Sequence, residues 1–468
     1  MKFSGLIFLF LFFPLILFGE EKNVEKNFKV VPNQHVFING VSGIDVKVIG
    51  WDKNEAAIKI KAKVNSSDSR FETEYLQSFD VNYKISGNDV YIDFAETDKK
   101  GSWSVFDIFK GDLKYSFSKE ITGEIYLPGN VLLTGNFKYS DIYVTGIEGA
   151  LVLDGKGNHF TIKECSKVNV INNEYGNVTV SKSKGNLSAD LKLSPIKIED
   201  FEGDVKINAQ SLELNLFKIT GNLYLNVYDI KGLVEEISKY VTAYSNVSNI
   251  TFKKVNGVLE IHDKTSELYV YDASGFKLEG SNTHLTAQGI TGVEKNKVFL
   301  TTNYGKYRIS NSSGVYYIDD NHSDFIMSDI TGNIFYSAKS SSFSGKELKG
   351  DWKSDTKYAE ITLRTISANK IEAIGVGKTF KADIANNPQK VDLKNQDGDI
   401  DLFVNPDIKT SVFLTAIDGN LFTDFSIHKY REGQAAKAAE RLNGGGAVLS
   451  AEVKNASISL KKRGNKAD

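Results

Sequence analysis

The chain has 468 residues, of which 25% are charged and 41% hydrophobic, with a formal net charge of -2; this is an ordinary globular balance. Six prolines are few beside 39 glycines and 21 tyrosines, and that mix suits strands and tight turns better than helices. The near-neutral charge and the lack of a basic block in mid-chain argue against a nucleic-acid partner.

Met1-Lys2 is a short positive start, Phe3 to Phe18 is almost wholly apolar, and Gly19-Glu20-Glu21-Lys22 ends the run. This order reads as a secretory signal peptide over residues 1–19, with an uncleaved anchor as the alternative. The run is short for a spanning helix. The remainder is expected to be exported, to the periplasm, the cell surface or the medium. Residues 20–120 read as a β-rich N-terminal cap. FKVVPNQHVFINGVSGIDVKVIGWDKNEAAIKIKAKV and DVNYKISGNDVYIDF alternate at period two, and KKGSWSVFDIFKGD (Lys99 to Asp112) reads as an irregular aromatic insertion.

Residues 121–366 carry a repeat. With a zero set at Gly185, apolar residues fall at +2 (Leu187), +4 (Ala189), +11 (Ile196), +13 (Ile198) and +16 (Phe201), and Gly203 follows at +18. The same offsets work from Gly203, Gly257 and Gly314, each closing on a glycine at +18. LVEEISKYVTAY looks helical, yet a zero on Lys239 gives Val241, Ala243, Ile250, Phe252 and Val255, so it reads as strand. Asn296 serves as another zero after a short insertion. A unit this short, with two period-two strands, cannot bury its own apolar face, but stacked copies can. The fold class is therefore all-β: a β-solenoid with about 18 residues per coil and β-rich caps at both ends. The usual crossover preference favours a right-handed β-helix, though the sequence alone does not fix the hand. About twelve coils fit between Gly129 and Ile366 at one strand spacing each. Residues 367–468 read as C-terminal coils and cap, with the register lost past Ile366.

Several stretches in order resemble a known family. SGIDVKVIGWDKNEAAIKI, EIYLPGNVLLTGNFKYSDIYVTGIEGALVL, VFLTAIDGNLFTDF and RLNGGGAVLSAEVKNASISLKK are similar to the opening, transition and closing segments of the bacterial putative-adhesin, or DUF4097-type, β-solenoid proteins. The family usually has a glycine near the last turn, where this chain has Asn455-Ala456. The resemblance implies a surface or envelope protein, and it supplies no ligand and no catalytic residues.

Chemistry-bearing motifs are hinted at and fail. GVGKT (Gly375 to Thr379) ends like a phosphate-binding loop, but the glycine required five residues before Gly377 is Glu372, and no helix is expected to follow. Asp397-Gly398-Asp399 has its glycine misplaced for a calcium loop; Asp319, Asp320 and Asp324 form a second acidic cluster, read as a loop. His159, His262 and His322 read as solvated loop residues, and no histidine pair has ligand spacing. Cys165 is the single cysteine, which excludes an internal disulfide and a cysteine zinc site; TIKECSKVNV places it half-buried in a strand. Some β-helices are polysaccharide-cleaving enzymes, but the outward rows show no gathering of acids and bases. No catalytic, metal or cofactor-binding residue is assigned.

One outward row stands out. Position +3 lies between two inward residues and points outward. Phe299, Tyr317 and Phe335 occupy it in successive coils, with Tyr224 earlier in the row. They form a candidate binding surface for a glycan or protein, or else a stabilising ladder. The expectation is a non-catalytic, adhesin-like binding or structural module of the envelope. A carbohydrate-active β-helix enzyme and a self-associating periplasmic scaffold are the alternatives.

Overall fold

Alternation at period two, broken every few residues by a corner, leaves the chain only one way to bury its apolar columns, which is to coil and stack. A computed structural model describes residues 21–67, 69–95, 117–292 and 297–464. The leader segment, the Lys99–Asp112 insertion and Asn296 lie outside the described residues. Strands make up 73% of the chain, and they wind a β-solenoid of about 15 turns with some 18 residues per coil. The count exceeds twelve because coiling continues past Ile366: Ile371, Phe380, Val391 and Ile400 are buried in stacked strands. The chain divides into two compact units, with the division between Gly149 and Ala150.

In the second unit the sequence columns become spatial ones. Leu187, Val205, Leu223, Val241 and Leu259 pair in register at +2, and Ile196 and Leu214 do so at +11. All are buried. Lys239 fills the zero as expected, ahead of strand Val241–Asn246. Among the described residues the register slips at three places, between Leu151 and Val152, between Val255 and Val258, and between Leu363 and Ile366. Gly275 pairs with Val258 rather than stacking on Gly257, because a bulge between Val255 and Val258 shortens that coil by one residue.

Glycine at zero answers a close approach and, in several coils, a conformational need as well, as at Gly203 (φ 130) and Gly332 (φ 137). Gly221 lacks a left-handed φ, yet a Cβ there would stand 2.0 Å from the Gly203 carbonyl oxygen. Further left-handed corners lie at +8 and +15, some on Asp200 (φ 55) and Asp272 (φ 56), others on Leu193 (φ 50), Val247 (φ 51) and Tyr358 (φ 58). Such φ values are costly for branched side chains, and hydroxyls at +9 help to hold them. Ser248 Oγ donates to the Asn246 carbonyl (2.9 Å) and accepts from the Ile230 amide of the preceding coil (3.2 Å). Ser266 Oγ in turn accepts from the Ser248 amide at 3.0 Å. Cys165 sits in the +16 column and is fully buried, not half-buried.

The +6 column also faces inward, which its polar residues conceal in the sequence. Asp263 and Asp320 are buried there. Thr283 Oγ1 donates to Asp263 at 2.6 Å, and Ser245 Oγ donates to it as well. Thr302 Oγ1 (2.8 Å) and Tyr336 Oη (3.1 Å) donate to Asp320. Burial, and secondarily Asp320, pushes the Tyr307 and Tyr336 phenols far above the ordinary range; burial alone does so for Tyr316. A phenol whose folded pKa exceeds its unfolded one contributes stability that is full below the unfolded value of about 10 and is lost as pH rises above it. Spectrophotometric titration should therefore show these three tyrosines silent while exposed ones ionise. They should titrate only together with a cooperative alkaline unfolding.

Each unit contains a coil tucked between two others. In the first unit His35–Asn39 lies between Asp89–Ala95 and Leu132–Lys138, parallel to both. Ile44–Trp51 lies likewise between Phe117–Pro128 and Asp141–Thr145. The first coil in sequence is thus tucked beneath the second. Antiparallel strands Glu21–Lys29, Glu55–Ser66 and Asp80–Ser86 cover the outer edge, which would otherwise be open to strand addition. Within this cap, Ser69–Ser78 forms a helix that the reading of continuous strand did not include. Glu72 in its first turn accepts from the Ser66 amide at 2.5 Å, and Leu76 buries its inner face. In the second unit, Ala447–Lys454 and Ile458–Lys462 slot between Lys390–Gln396/Ile400–Val404 on one side and Thr410–Ile417/Leu421–Thr423 on the other. Antiparallel strand Ala435–Leu442 then covers Thr410–Ile417.

Candidate binding face and its trough

Outward residues of the first strand of each coil fall at +3, +5 and +7, so each column runs along the stack at strand spacing. Phe299, Tyr317 and Phe335 are direct lateral partners in the +3 column. Their rings stack at 5.3 and 5.0 Å with interplanar angles of 15° and 7°. Phe299 is 43% exposed, and Tyr317 and Phe335 are partly exposed. Each ring covers a face of its neighbour, so the row presents ring edges along its length and an open face only at its ends. Lys297 Nζ lies 5.6 Å from the Tyr317 ring centre. Lys277 precedes Phe299 in the column and Lys353 follows Phe335. Tyr224 is separated from the trio and instead approaches Tyr244, at 5.7 Å between ring centres.

Between Tyr244 and Phe299 the structure gathers titratable groups that the sequence reading had not brought together. His262 lies in strand Asn249–Lys264, not in a loop, and stacks on Tyr244 at 4.7 Å. Its Nδ1 is 2.9 Å from Glu279 and its Nε2 is 3.2 Å from Glu260, while Lys277 Nζ is 2.5 Å from Glu260. The Lys277 hydrogen bond holds the Glu260 carboxyl below its usual range, and Glu260 raises Lys277 in return. The alternation hides this cluster, because partners in neighbouring coils stand 17 residues apart in the chain.

Beside this row, at +5 to +7, runs a continuous trough. Two concavities share Asn226, Val227 and Tyr228 and together extend from Gly155 to Asn303. The +6 side chains point inward, so backbone forms the floor and the +5 and +7 side chains form the walls.

The rejected motifs occupy structural places. GVGKT ends strand Lys370–Val376 and turns at Gly377 (φ 86) into strand Phe380–Ile384. Asp397 and Asp399 clasp the tucked C-terminal coil: Asn455 Nδ2 donates to Asp397 and the Ser457 amide to Asp399, each at 2.8 Å. Asp319 and Asp320 lie in a strand, not a loop. Asp319 is exposed and Asp320 buried, and Asp324 bonds Ser342, so the three acids do not converge. Among the described residues no three His, Cys, Asp or Glu side chains are placed to hold a metal ion.

The chain is thus a nearly all-β solenoid with a half-exposed aromatic row and an adjoining trough. No family model and no curated protein matches it. Among solved structures, a putative cell adhesion protein from Clostridium sporogenes is 9% identical, covering 94% of this chain and 100% of its own, with a TM-score of 0.14. A putative lipid binding protein from Parabacteroides distasonis is 12% identical, covering 76% of this chain and 98% of its own, with a TM-score of 0.16. At those scores neither likeness carries an argument about this chain. Among the described residues no helix is long and apolar enough to cross a membrane.

Proposed function

We propose that this chain is an exported, adhesin-like β-solenoid of the cell envelope that binds rather than turns over its ligand. The carrying observation is the half-exposed row Phe299, Tyr317 and Phe335, since exposed apolar stripes tend to mark contact surfaces. The apolar N-terminal run and the resemblance to DUF4097-type proteins support export and an envelope setting. The mechanism is multivalent weak contact along a stiff face, where many small contributions sum without chemistry.

The purified chain, presented to intact cells and to immobilised polysaccharides, is expected to be retained. Replacing Phe299, Tyr317 and Phe335 together by serine should weaken retention about tenfold or more, roughly 1.4 kcal/mol. Unchanged retention would remove the row from the site. A second reading, a carbohydrate-active enzyme, is favoured by the Glu260, His262, Lys277 and Glu279 cluster. Release of new chain ends from a polysaccharide, abolished by Glu260→Gln or Glu279→Gln, would replace the binding reading.

A further inference from the structure

The trough differs in chemistry from the aromatic row beside it. Its strands, from Ala150–Lys156 to Lys297–Asn303, are linked by eight successive parallel pairings. At the usual strand spacing this is roughly 40 Å of open groove. The ends of the walls carry charge, with Glu174 beside Lys192 at one end and Glu279 beside His262 toward the other. The central stretch does not. There the walls are Asn208, Gln210, Asn226, Tyr228, Tyr244 and Asn246, six uncharged side chains in succession in a protein that is 25% charged.

Amide side chains both donate and accept hydrogen bonds, as sugar hydroxyls do. A phenol adds an apolar face with a polar tip. Tyr228 is the best-placed platform. It is 47% exposed, it lines both concavities, and among the described residues no other ring stacks on it. The rings of the neighbouring row are instead stacked on one another. Strand spacing sets the interval between successive wall positions, and a pyranose unit in an extended chain advances by a comparable distance. One register can therefore be repeated along the trough.

We propose that the trough, centred on Tyr228, is a binding site for a linear uncharged polysaccharide lying along the stack. A sugar ring packs on Tyr228, and the flanking amides bond its hydroxyls. This deepens the binding reading above and rests on it, but uses a different set of residues.

The test is native affinity electrophoresis of the full chain through gels containing xylan, mannan or hydroxyethyl cellulose, with polygalacturonate and alginate as charged counterparts. Retardation by at least one neutral polymer is expected. Tyr228→Ala should weaken it about tenfold or more, and Asn208→Ala with Asn226→Ala at least about threefold. Tyr228→Trp should keep it, which separates loss of the platform from loss of the fold. The triple serine variant of the aromatic row should be retarded as the parent is. No retardation by any neutral polymer, retardation by the polyuronates alone, or retardation indifferent to Tyr228→Ala would overturn the trough. If cells still retain the chain through the aromatic row, the binding reading survives that failure. If both fail, it falls too.

Discussion

Cutting the chain after Gly446 should unfold its C-terminal end, although the cut removes only the last strands in sequence. Residues 447–462 do not sit at the end of the stack. They fill a slot between two coils, and Leu449, Ala451, Val453, Ile458 and Leu460 are buried there. Full burial of a large aliphatic side chain is worth about 1.5–3 kcal/mol, so the loss is on the order of 10 kcal/mol before relaxation. Four ladders are lost with them, because Lys390–Gln396 and Thr410–Ile417 each pair with Ala447–Lys454, and Ile400–Val404 and Leu421–Thr423 each pair with Ile458–Lys462. Asp397 and Asp399 lose their partners Asn455 and Ser457 as well. Hydrogen exchange should show the amides of the flanking strands exchanging faster by orders of magnitude, with protection kept in the middle of the stack. A truncated chain whose flanking strands stay protected would mean that the slot closes by itself.

The second large effect separates two glycines of one coil. Gly221→Ala is expected to destabilise by about 3 kcal/mol or more, since the new methyl would meet the Gly203 carbonyl carbon at 2.2 Å and its oxygen at 2.0 Å. Backbone cannot yield as a side chain can, and overpacking of this kind sits at the upper end of its range. Gly232→Ala is the internal control. Its Cβ would find only ordinary contacts at 3.6 Å, with Ile230, Ile250 and Leu214. Neither glycine has a left-handed φ, so the comparison is free of backbone strain. Gly232→Ala should be neutral, or stabilising by roughly 0.5–1 kcal/mol through the unfolded chain. Denaturant midpoints of the two variants check the pair. Equal effects would refute the close-approach account of the repeat glycine.

What was legible in the sequence follows from which columns are apolar. Positions +2, +4, +11, +13 and +16 announce themselves through Leu, Ile, Val and Phe, and they fix the coil length. The same rule correctly moved Leu233 to Tyr244 from helix to strand. The +6 and +9 columns stayed hidden because Asp263, Asp320, Ser248 and Ser266 look like surface residues. Their partners, 16 to 20 residues away in the chain, make them tolerable inside. Left-handed corners on Leu193, Val247 and Tyr358 run against local propensity, so no turn residue marks them. The tucked ends were beyond reach for another reason. Asp399 and Ser457 meet across 58 residues, and nothing in a local pattern says that a chain will skip a coil and return. The aromatic row could be read because it repeats in register. The cluster around His262 and the trough could not, since each depends on how neighbouring coils bring unlike residues side by side.

The most direct test of an envelope-exposed binding protein is protease shaving of intact cells, followed by detection of this chain. The proposal predicts cleavage while a periplasmic control protein survives. Protection that persists until the envelope is opened would contradict surface display and leave a periplasmic scaffold as the better account.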